Sequence, residues 1–228
     1  MDICLIPARS GSKRLKNKNI ISFFGKPMIS YSIKTAIKCN LFKKIIVSTD
    51  SNKIAKISKK YGAEIPFMRP KKISNDFASD YDVIEHFINY AKAKNLKIRF
   101  LCYLYPVNPL LKISTLKKCK KKIIVTKCKK IVTIGKYSHP VQRALIKDKL
   151  GNIFYKEKNN TNKRSQNLNT LYHDAAQCYW YDLRKIKNIR NVANQTKSIE
   201  LKKFEFLDID TPEDFNNLKK IFKLNLHK

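Results

Sequence analysis

An alternation of short apolar runs with amphipathic segments constrains the fold of this chain more than any other feature. Four apolar runs suit buried strands, namely Ile3 to Pro7, Lys44 to Thr49, Phe100 to Leu104 and Ile131 to Ile134. Residues between the earlier runs carry apolar side chains at helical spacing. Strands that alternate with helices favour parallel pairing, with helices covering the faces of the sheet. The sequence therefore predicts an α/β fold with a Rossmann-like, mostly parallel sheet.

Three helices are predicted among these runs. Pro27 suits a first helical turn because its φ is fixed near the helical value. Gly62 suits the residue after a helix, where a left-handed backbone is common. The predicted helices are Pro27 to Asn40, then Asp50 or Ser51 (as the cap) to Gly62, and Asp80 to Lys94.

The second half of the chain has shorter alternating segments. Gln142 to Ile146 and Asn152 to Lys156 flank a turn and predict a β-hairpin. The polar stretch from Lys158 to Asn169 follows as a long loop, and long loops in compact domains are often functional. We interpret residues 139–170 as an inserted hairpin or lobe within a single domain that spans residues 1–228.

The end of the chain returns to regular structure. The pattern predicts a last strand from Phe204 to Ile209 and then a helix that begins at Pro212. Thr211 caps this helix, and Asp214 completes a capping box in place of the usual glutamate.

Composition excludes several classes of protein. No stretch approaches the ~20 apolar residues of a membrane span, and an apolar fraction of 43% excludes a disordered tail. The apolar N-terminus lacks a preceding basic region and is interrupted by Pro7 and Arg9, so it predicts a buried strand and not a signal peptide. The six cysteines stand singly, without metal-ligand spacing. We interpret them as reduced thiols of a cytoplasmic protein.

The formal net charge of +32 suggests nucleic-acid binding, because fields of that sign recruit polyanions. A second explanation is a strongly AT-rich genome, since lysine dominates over arginine and asparagine and isoleucine are abundant. The lysines are also spread along the whole chain. A basic nucleic-acid-binding protein without catalysis stays the alternative of another class, although this spread makes nucleic acid the less favoured partner.

Ala8 to Asn19 form a loop rich in cations and hydroxyls directly after the first predicted strand. Loops at the carboxyl ends of parallel strands bind ligands, and backbone N–H groups together with lysine and arginine can hold phosphates. The loop is not a Walker A motif, because the Gly-Lys-Ser/Thr ending is missing. The alternative is a solvated basic loop in a lysine-rich protein.

Asp208 and Asp210 flank Ile209 at the end of the last predicted strand, where a period of two places both carboxylates on one side. Such a pair suits Mg²⁺, which needs few protein ligands and completes its shell with water and phosphate oxygens. The alternative is that Asp210 only stabilises the following helix N-terminus. A phosphate-binding loop together with a metal pair suggests nucleotidyl transfer.

The motifs of this chain, in their order, resemble the acylneuraminate cytidylyltransferase family. They are Ile6 to Arg14 with Lys18 and Asn19, Gly25 to Met28, Ile46 to Asp50, Arg69 and Pro70, and Asp208 to Asp214. The resemblance implies a nucleotide-diphospho-sugar transferase type of fold, Mg²⁺ as cofactor, and CTP with an acidic nine-carbon sugar as substrates. It also implies a homodimer in which the hairpin insertion reaches over the partner's sugar site.

Within the family, the segments Gln142 to Leu145, Arg164 to Gln166 and Tyr172 to Trp180 are most similar to the pseudaminic acid branch. Tyr105 stands where sialic acid synthetases usually have glutamine. The implied reaction joins the 2-hydroxyl of pseudaminic acid to CMP and releases pyrophosphate. The alternative acceptors are N-acetylneuraminic and legionaminic acid.

The resemblance also implies the roles of individual residues. The implied nucleotide-binding residues are Ala8, Arg9, Ser12, Lys13, Lys18, Asn19, Arg69 and Ser79, with Arg69 near the cytosine. The implied sugar-binding residues are Tyr105, Gln142, Arg143, Arg164, Gln166, His173, Asp174 and Gln177. The implied catalytic residues are Arg9, Lys18, Asp208 and Asp210, of which the two aspartates bind the metal. For His173, Asp174 and Gln177 the alternative is a structural role as locally satisfied or core residues.

Overall fold

A computed structural model of the chain describes residues 1–157, 159 and 163–226. The strands are β1 (Asp2–Pro7), β2 (Ser22–Phe23), β3 (Lys26–Pro27), β4 (Lys44–Ser48), β5 (Phe100–Leu104), β6 (Lys130–Lys136), β7 (Leu145–Lys147), β8 (Ile153–Tyr155), β9 (Tyr172–Asp182) and β10 (Thr196–Leu201). The helices are α1 (Ile29–Lys38), α2 (Asn52–Lys60), α3 (Asp80–Ala93), α4 (Ile113–Thr126) and α5 (Pro212–Leu226).

Six strands form the main sheet in the order β10-β6-β9-β5-β1-β4. The pairs β1 with β4, β1 with β5, and β10 with β6 are parallel, whereas β9 is antiparallel to both β5 and β6. The prediction of a mostly parallel α/β sheet is confirmed. Because β9 runs the opposite way, it begins at the edge where its parallel neighbours end. Loops from both directions therefore meet at one edge.

Each face of the sheet has its own apolar core. On one face, Ile29 and Ile33 of α1, Ile54 of α2 and Leu116 of α4 pack in one buried cluster with strand residues. On the other face the buried cluster contains Val83, Ile84 and Phe87 of α3. The strands β1, β4 and β5 are buried on both sides, which explains why they read as continuous apolar runs in the sequence. Among the helices of the described residues, none has the length and apolar character of a membrane span.

Most predicted element bounds agree with the structure, but two predictions are wrong. Pro27 does not open a helix: it pairs with Ser22 in the small hairpin β2–β3, and α1 begins at Ile29. Phe204 to Ile209 do not form a strand, and the last strand is instead β10. In this segment Ile209 is buried and Leu207 packs partly against the same apolar cluster, whereas Phe204 is exposed. The period of two thus indicated the buried side at Leu207 and Ile209 but not backbone pairing.

The predicted helix caps are confirmed at two places. The Ser51 side chain accepts a hydrogen bond from the Ile54 N–H group at the start of α2. At α5, Asp214 Oδ2 accepts from the N–H and hydroxyl groups of Thr211, and Asp214 N donates to Thr211 Oγ1. Both carboxylate and hydroxyl thereby satisfy N–H groups that a helix start leaves unpaired.

The predicted hairpin is present as β7 and β8, which pair antiparallel with Ile146 opposite Phe154. It belongs to the insertion, residues 139–170, which leaves the sheet after β6 and returns at β9. Part of the predicted loop from Lys158 to Asn169, namely residues 158 and 160–162, lies outside the described residues.

Candidate active site

A cleft of about 640 Å³ opens at the edge of the sheet where the parallel strands end. It receives residues from the loops after β1 and β5, from the segment before α3 and from the segment before α5. Ten of the residues implied by the family resemblance line it: Arg9, Ser12, Lys13, Lys18, Asn19, Arg69, Ser79, Tyr105, Asp208 and Asp210. The topology thus collects into one site residues that are distant in sequence.

The cation loop, residues 8–19, is fixed by hydrogen bonds at both ends. Ala8 N donates to Ser48 O at 2.9 Å and Asn19 Nδ2 donates to Arg9 O at 2.8 Å. Ser10 donates to Asp50 through its N–H group at 2.8 Å and its hydroxyl at 2.6 Å. Both Ala8 and Asn19 are buried. Asn19 lines the cleft, whereas Ala8 does not and supports the loop only through its backbone.

Two aspartates neutralise the cations of this loop. Arg9 Nη1 lies 2.8 Å and Lys13 Nζ 2.5 Å from the Asp76 carboxylate. Arg14 Nη2 lies 2.7 Å and Lys18 Nζ 3.2 Å from the Asp210 carboxylate. The hydrogen bonds from Lys13 and Arg9 lower the pKa of Asp76. Four positive groups therefore face the cleft in positions where an anionic ligand could replace the carboxylates.

The acidic pair, Asp208 and Asp210, suits a hard divalent cation. Both residues line the cleft and offer carboxylate oxygens, the donor type that Mg²⁺ prefers. The described residues contain no cluster of three or more metal-ligating side chains. This fits Mg²⁺, which is commonly held by one or two carboxylates together with water and substrate phosphates. The ion pairs of Asp210 with Arg14 and Lys18 would loosen when those cations turn to phosphate.

The segment that precedes the acidic pair is held in place by a close contact between Phe206 and β6. A Cβ atom at Gly135 would lie 2.1 Å from Phe206 Cζ, so glycine at this position lets the Phe206 ring rest against the strand. The same ring lies 5.3 Å from the His173 ring. Ile209 is buried in a third apolar cluster with Phe215 of α5. These anchors hold the segment that leads to Asp208 and Asp210 without strand pairing.

Arg69 is a buried cation with unsatisfied donors. Its side chain is 6% exposed, and its backbone N–H group donates to Thr49 O at 2.7 Å. Within the described residues, Nε and Nη2 have no hydrogen-bond partner. Burial lowers the pKa of this guanidinium. Buried donors without partners are rare, because each costs free energy, and these two belong to a residue that lines the cleft.

Two phenols and a carboxylate, those of Tyr103, Tyr105 and Asp80, also line the cleft. Asp80 accepts hydrogen bonds from the hydroxyls of Tyr103, at 2.7 Å, and Tyr105. The Tyr105 hydroxyl also contacts that of Tyr179 at 3.3 Å, and Tyr179 donates to Asp174. Burial raises the pKa of Tyr105 and Tyr179, so both stay protonated donors. The predicted sugar residues Tyr105 and Asp174 are thus connected, although Asp174 does not line the cleft.

Two other predicted sugar residues have structural partners. Gln177 is 2% exposed, and its Nε2 atom donates to Glu205 O at 2.6 Å. His173 Nδ1 lies 2.8 Å from Asp174 O, and its ring packs against Tyr137 and Phe206. The structure brings neither side chain into the cleft of its own chain.

The other four predicted sugar residues, Gln142, Arg143, Arg164 and Gln166, lie in the insertion and not at the cleft. Gln142 Nε2 donates to Asn169 O at 2.7 Å, which connects the two ends of the insertion. The hairpin is apolar yet exposed: 61% of Ile153 and 54% of Phe154 are accessible. Large exposed apolar patches of this kind mark interaction surfaces.

Sequence reasoning missed four cleft or loop partners: Asp50, Asp76, Asp80 and Tyr103. The sequence patterns place Asp50 in a family motif and at a helix start, Asp80 at a helix start and Tyr103 in a buried strand, without a role at the site for any of them. Asp76 stands in a polar segment without periodicity, and no local pattern indicates that it meets Arg9 and Lys13. These contacts depend on the sheet order, which brings β1, β4 and β5 side by side.

A family model described as Cytidylyltransferase matches residues 3–227 of this chain. The chain belongs to the cytidylyltransferase family. A pseudaminic acid cytidylyltransferase of Campylobacter jejuni is 34% identical over 98% of this chain and 97% of its own length. A CMP-N,N'-diacetyllegionaminic acid synthase of Legionella pneumophila is 31% identical over 98% of this chain and 97% of its own length.

The fold of this cytidylyltransferase is also that of solved relatives. The structure of CMP:2-keto-3-deoxy-manno-octonic acid synthetase complexed with CTP matches it with a TM-score of 0.68, and the match covers 98% of this chain and 99% of the other. At 15% sequence identity this match concerns the fold alone. The predicted nucleotide-diphospho-sugar transferase type of sheet is therefore confirmed.

Proposed function

We propose that this cytidylyltransferase transfers CMP from CTP to the 2-hydroxyl group of pseudaminic acid and releases pyrophosphate. The observation that carries the nucleotide part is the position of Arg69. Arg69 lines the same cleft as the cation loop and the acidic pair, and its Nε and Nη2 donors are buried without partners among the described residues. A turn of the guanidinium toward the cleft would bring these donors to the carbonyl and ring-nitrogen acceptors of a pyrimidine base, while the triphosphate meets the cations.

In this mechanism the protein positions the reactants and neutralises charge. The sugar hydroxyl attacks the α-phosphorus, a new P–O bond forms, and the bond from the α-phosphorus to the bridging oxygen breaks. The hydroxyl proton passes to solvent water, and the electron pair of the broken bond leaves with pyrophosphate. Arg9, Lys13 and Lys18 would hold the β- and γ-phosphates and stabilise the charge that grows on the leaving group.

Asp208 and Asp210 would hold Mg²⁺ when it is bound. The ion supplies Lewis-acid stabilisation of the phosphate oxygens and lowers the pKa of the attacking hydroxyl. The fixed ends of the segment, at Phe206 and Ile209, keep both carboxylates at the cleft. Fixed carboxylates would cost little reorganisation when the charge develops.

The assignment of the sugar substrate is supported by the relatives and by the tyrosine and aspartate side chains of the cleft. The Campylobacter jejuni relative is named for pseudaminic acid and aligns over nearly the whole chain. Asp80 and Tyr105 line the cleft with polar groups that the acceptor would meet, and the Tyr105 hydroxyl contacts that of Tyr179 behind it. The relative named for legionaminic acid, at 31% identity, favours that sugar as the second candidate.

We also propose a homodimer in which the hairpin of one protomer completes the sugar site of the other. The exposed apolar residues Leu145, Ile153 and Phe154 need a partner surface, since their own chain leaves more than half of each accessible. Arg143, Arg164 and Gln166, which lie outside the cleft of their own chain, would then reach the acceptor across the interface. An arginine can grip the sugar carboxylate through two hydrogen bonds.

A cytoplasmic location completes the proposal. All six cysteines are free and buried, and thiols of this kind persist in a reducing compartment.

Pyrophosphate release tests the function directly. The purified protein is incubated with CTP and Mg²⁺ and with pseudaminic, legionaminic or N-acetylneuraminic acid in turn, and kcat/KM is compared. We expect the highest value with pseudaminic acid, and loss of activity when ATP replaces CTP or EDTA removes the metal. Release with none of the three sugars contradicts the reaction. A preference for legionaminic acid replaces the acceptor but keeps the chemistry.

A further inference from the structure

One carboxylate in the cleft is unexplained by the proposed reaction. Asp76 pairs with Arg9 and Lys13, two cations that the reaction assigns to the triphosphate. A carboxylate near bound phosphates would repel them, so it weakens nucleotide binding if it stays in place. A role for Asp76 is therefore to be sought in the steps during which no phosphate occupies the cleft.

The segment that carries Asp76, residues 71–79, is only weakly packed against the rest of the protein. None of residues 71–79, all of which the structure describes, is buried. Phe77 is 96% exposed, so the one large aromatic side chain of the segment does not anchor it to the core. Segments with few buried apolar contacts open at low free-energy cost.

The two ends of this segment are, by contrast, fixed in the cleft. Arg69 precedes it and is held by its backbone bond to Thr49 at 2.7 Å. Ser79 ends it as the cap of α3, where its N–H group donates to Asp82 Oδ2 at 2.7 Å. Within the segment, Asn75 Oδ1 accepts from the N–H groups of Phe77 and Ala78. A short, internally ordered segment between two fixed points can move as a unit.

We propose that Asp76 is a positioning residue that holds Arg9 and Lys13 in the ligand-free cleft and is exchanged for the triphosphate. This inference rests on the proposed function. Before the nucleotide binds, the Asp76 carboxylate holds the side chains of Arg9 and Lys13 close together, because it offsets the repulsion between their positive charges. When a nucleoside triphosphate binds, its phosphate oxygens replace the Asp76 oxygens and the 71–79 segment moves away. When pyrophosphate leaves, Asp76 returns and lowers the affinity for the product.

Binding measurements on Asp76→Asn test this exchange. The amide keeps the shape but not the charge, so the competitor for the phosphates is removed. We expect CTP and pyrophosphate to bind roughly three- to tenfold more tightly than to the wild type, a change on the scale of exposed ion pairs. We expect kcat to fall at the same time, because the tighter product leaves more slowly, so KM and kcat both decrease.

Glu64→Gln is the matched control. Glu64 forms an exposed ion pair with Lys44 at 2.7 Å, away from the cleft, and its replacement changes the net charge by the same amount. We expect unchanged affinity for CTP in this variant. Equal tightening in both variants would assign the effect to overall charge and overturn the proposal.

A double-mutant cycle locates the effect. In a Lys13→Gln background, Asp76→Asn should tighten pyrophosphate binding by a smaller factor, since one of the two competing contacts is already absent. Unchanged or weaker CTP binding in Asp76→Asn, with thermal unfolding like that of the wild type, would overturn the exchange. A wild type that binds neither CTP nor pyrophosphate would overturn the proposed function, and this inference with it. Wild-type binding together with an unaltered variant would overturn this inference alone.

Discussion

The cation loop and the insertion lie at the same edge of the sheet, but their side chains are satisfied in different ways. Arg9, Lys13 and Lys18 each find a partner within their own chain. The hairpin instead presents Ile153 and Phe154 with more than half of each accessible. The first region is complete as a monomer apart from its ligand, whereas the second lacks a covering surface. This difference agrees with the proposed dimer, in which one chain would supply the nucleotide site and two chains the sugar site.

The largest expected effect concerns Asp210. We expect Asp210→Ala to lower kcat by roughly 10²- to 10³-fold, because a fixed electrostatic group at the phosphates is lost. Thermal unfolding should change little. Steady-state pyrophosphate release and a melting curve measure the two quantities. Glu213→Ala, an exposed acidic residue three positions further on, is the control and should retain activity. An equal loss of kcat in both variants would contradict a specific role for Asp210 in the reaction.

The second prediction tests the insertion. Ile146 and Phe154 stand opposite each other on the hairpin, and replacing both by glutamate places two charges on an apolar face. We expect the dimer to dissociate, kcat/KM for the sugar to fall roughly tenfold or more, and CTP affinity to persist. Light scattering gives the mass and calorimetry the affinity. Leu224→Glu, at a position that is 66% exposed on α5, should leave the mass unchanged. A wild-type protein that is monomeric and fully active would contradict the proposal that two chains form the sugar site.

The third prediction concerns Arg69. Replacing it by methionine removes a buried guanidinium whose Nε and Nη2 atoms lack partners. We expect the KM for CTP to rise roughly tenfold, since hydrogen bonds to charged groups contribute about 1.5–3 kcal/mol. The free energy of unfolding without ligand should be equal or higher, because an apolar side chain suits the buried site better. A stability loss with unchanged KM would assign Arg69 to structure only.

The smallest expected effect is acid sensitivity at the start of α3, where Asp82 pairs with Arg190 at 2.5 Å. Hydrogen bonds from Arg190 and Ser79 lower the pKa of Asp82 from 3.8 to about 2. A folded-state pKa below the unfolded value stabilises the protein above pH 3.8, and this contribution is lost as the pH falls toward 2. Urea unfolding should therefore show the wild type losing its advantage over Asp82→Asn mainly as the pH falls from about 4 to about 2. A pH-independent difference would indicate a capping effect alone.

Prediction from sequence succeeded where local patterns decide the structure. The buried strands β1, β4 and β5 read as apolar runs, and the helix starts at Ser51 and Thr211 follow from capping chemistry. It was wrong at Pro27 and at Phe204 to Ile209. At Pro27 the chain pairs with Ser22 where a helix was predicted, and at Phe204 to Ile209 it forms no strand pairing where a strand was predicted. In both places the residues suit the predicted element, and backbone pairing depends on parts of the chain outside the local segment.

The sequence by itself determined the fold class, the position of the cation loop and the acidic pair, and the family. Only the tertiary structure decided which charges meet. Asp76 finds Arg9, Asp80 finds Tyr103, and Asp210 finds Lys18 across 192 positions, because the sheet order brings these segments to one edge. Local patterns record burial and capping, whereas pairing between distant charges depends on which strands lie side by side. That order is a property of the packed chain.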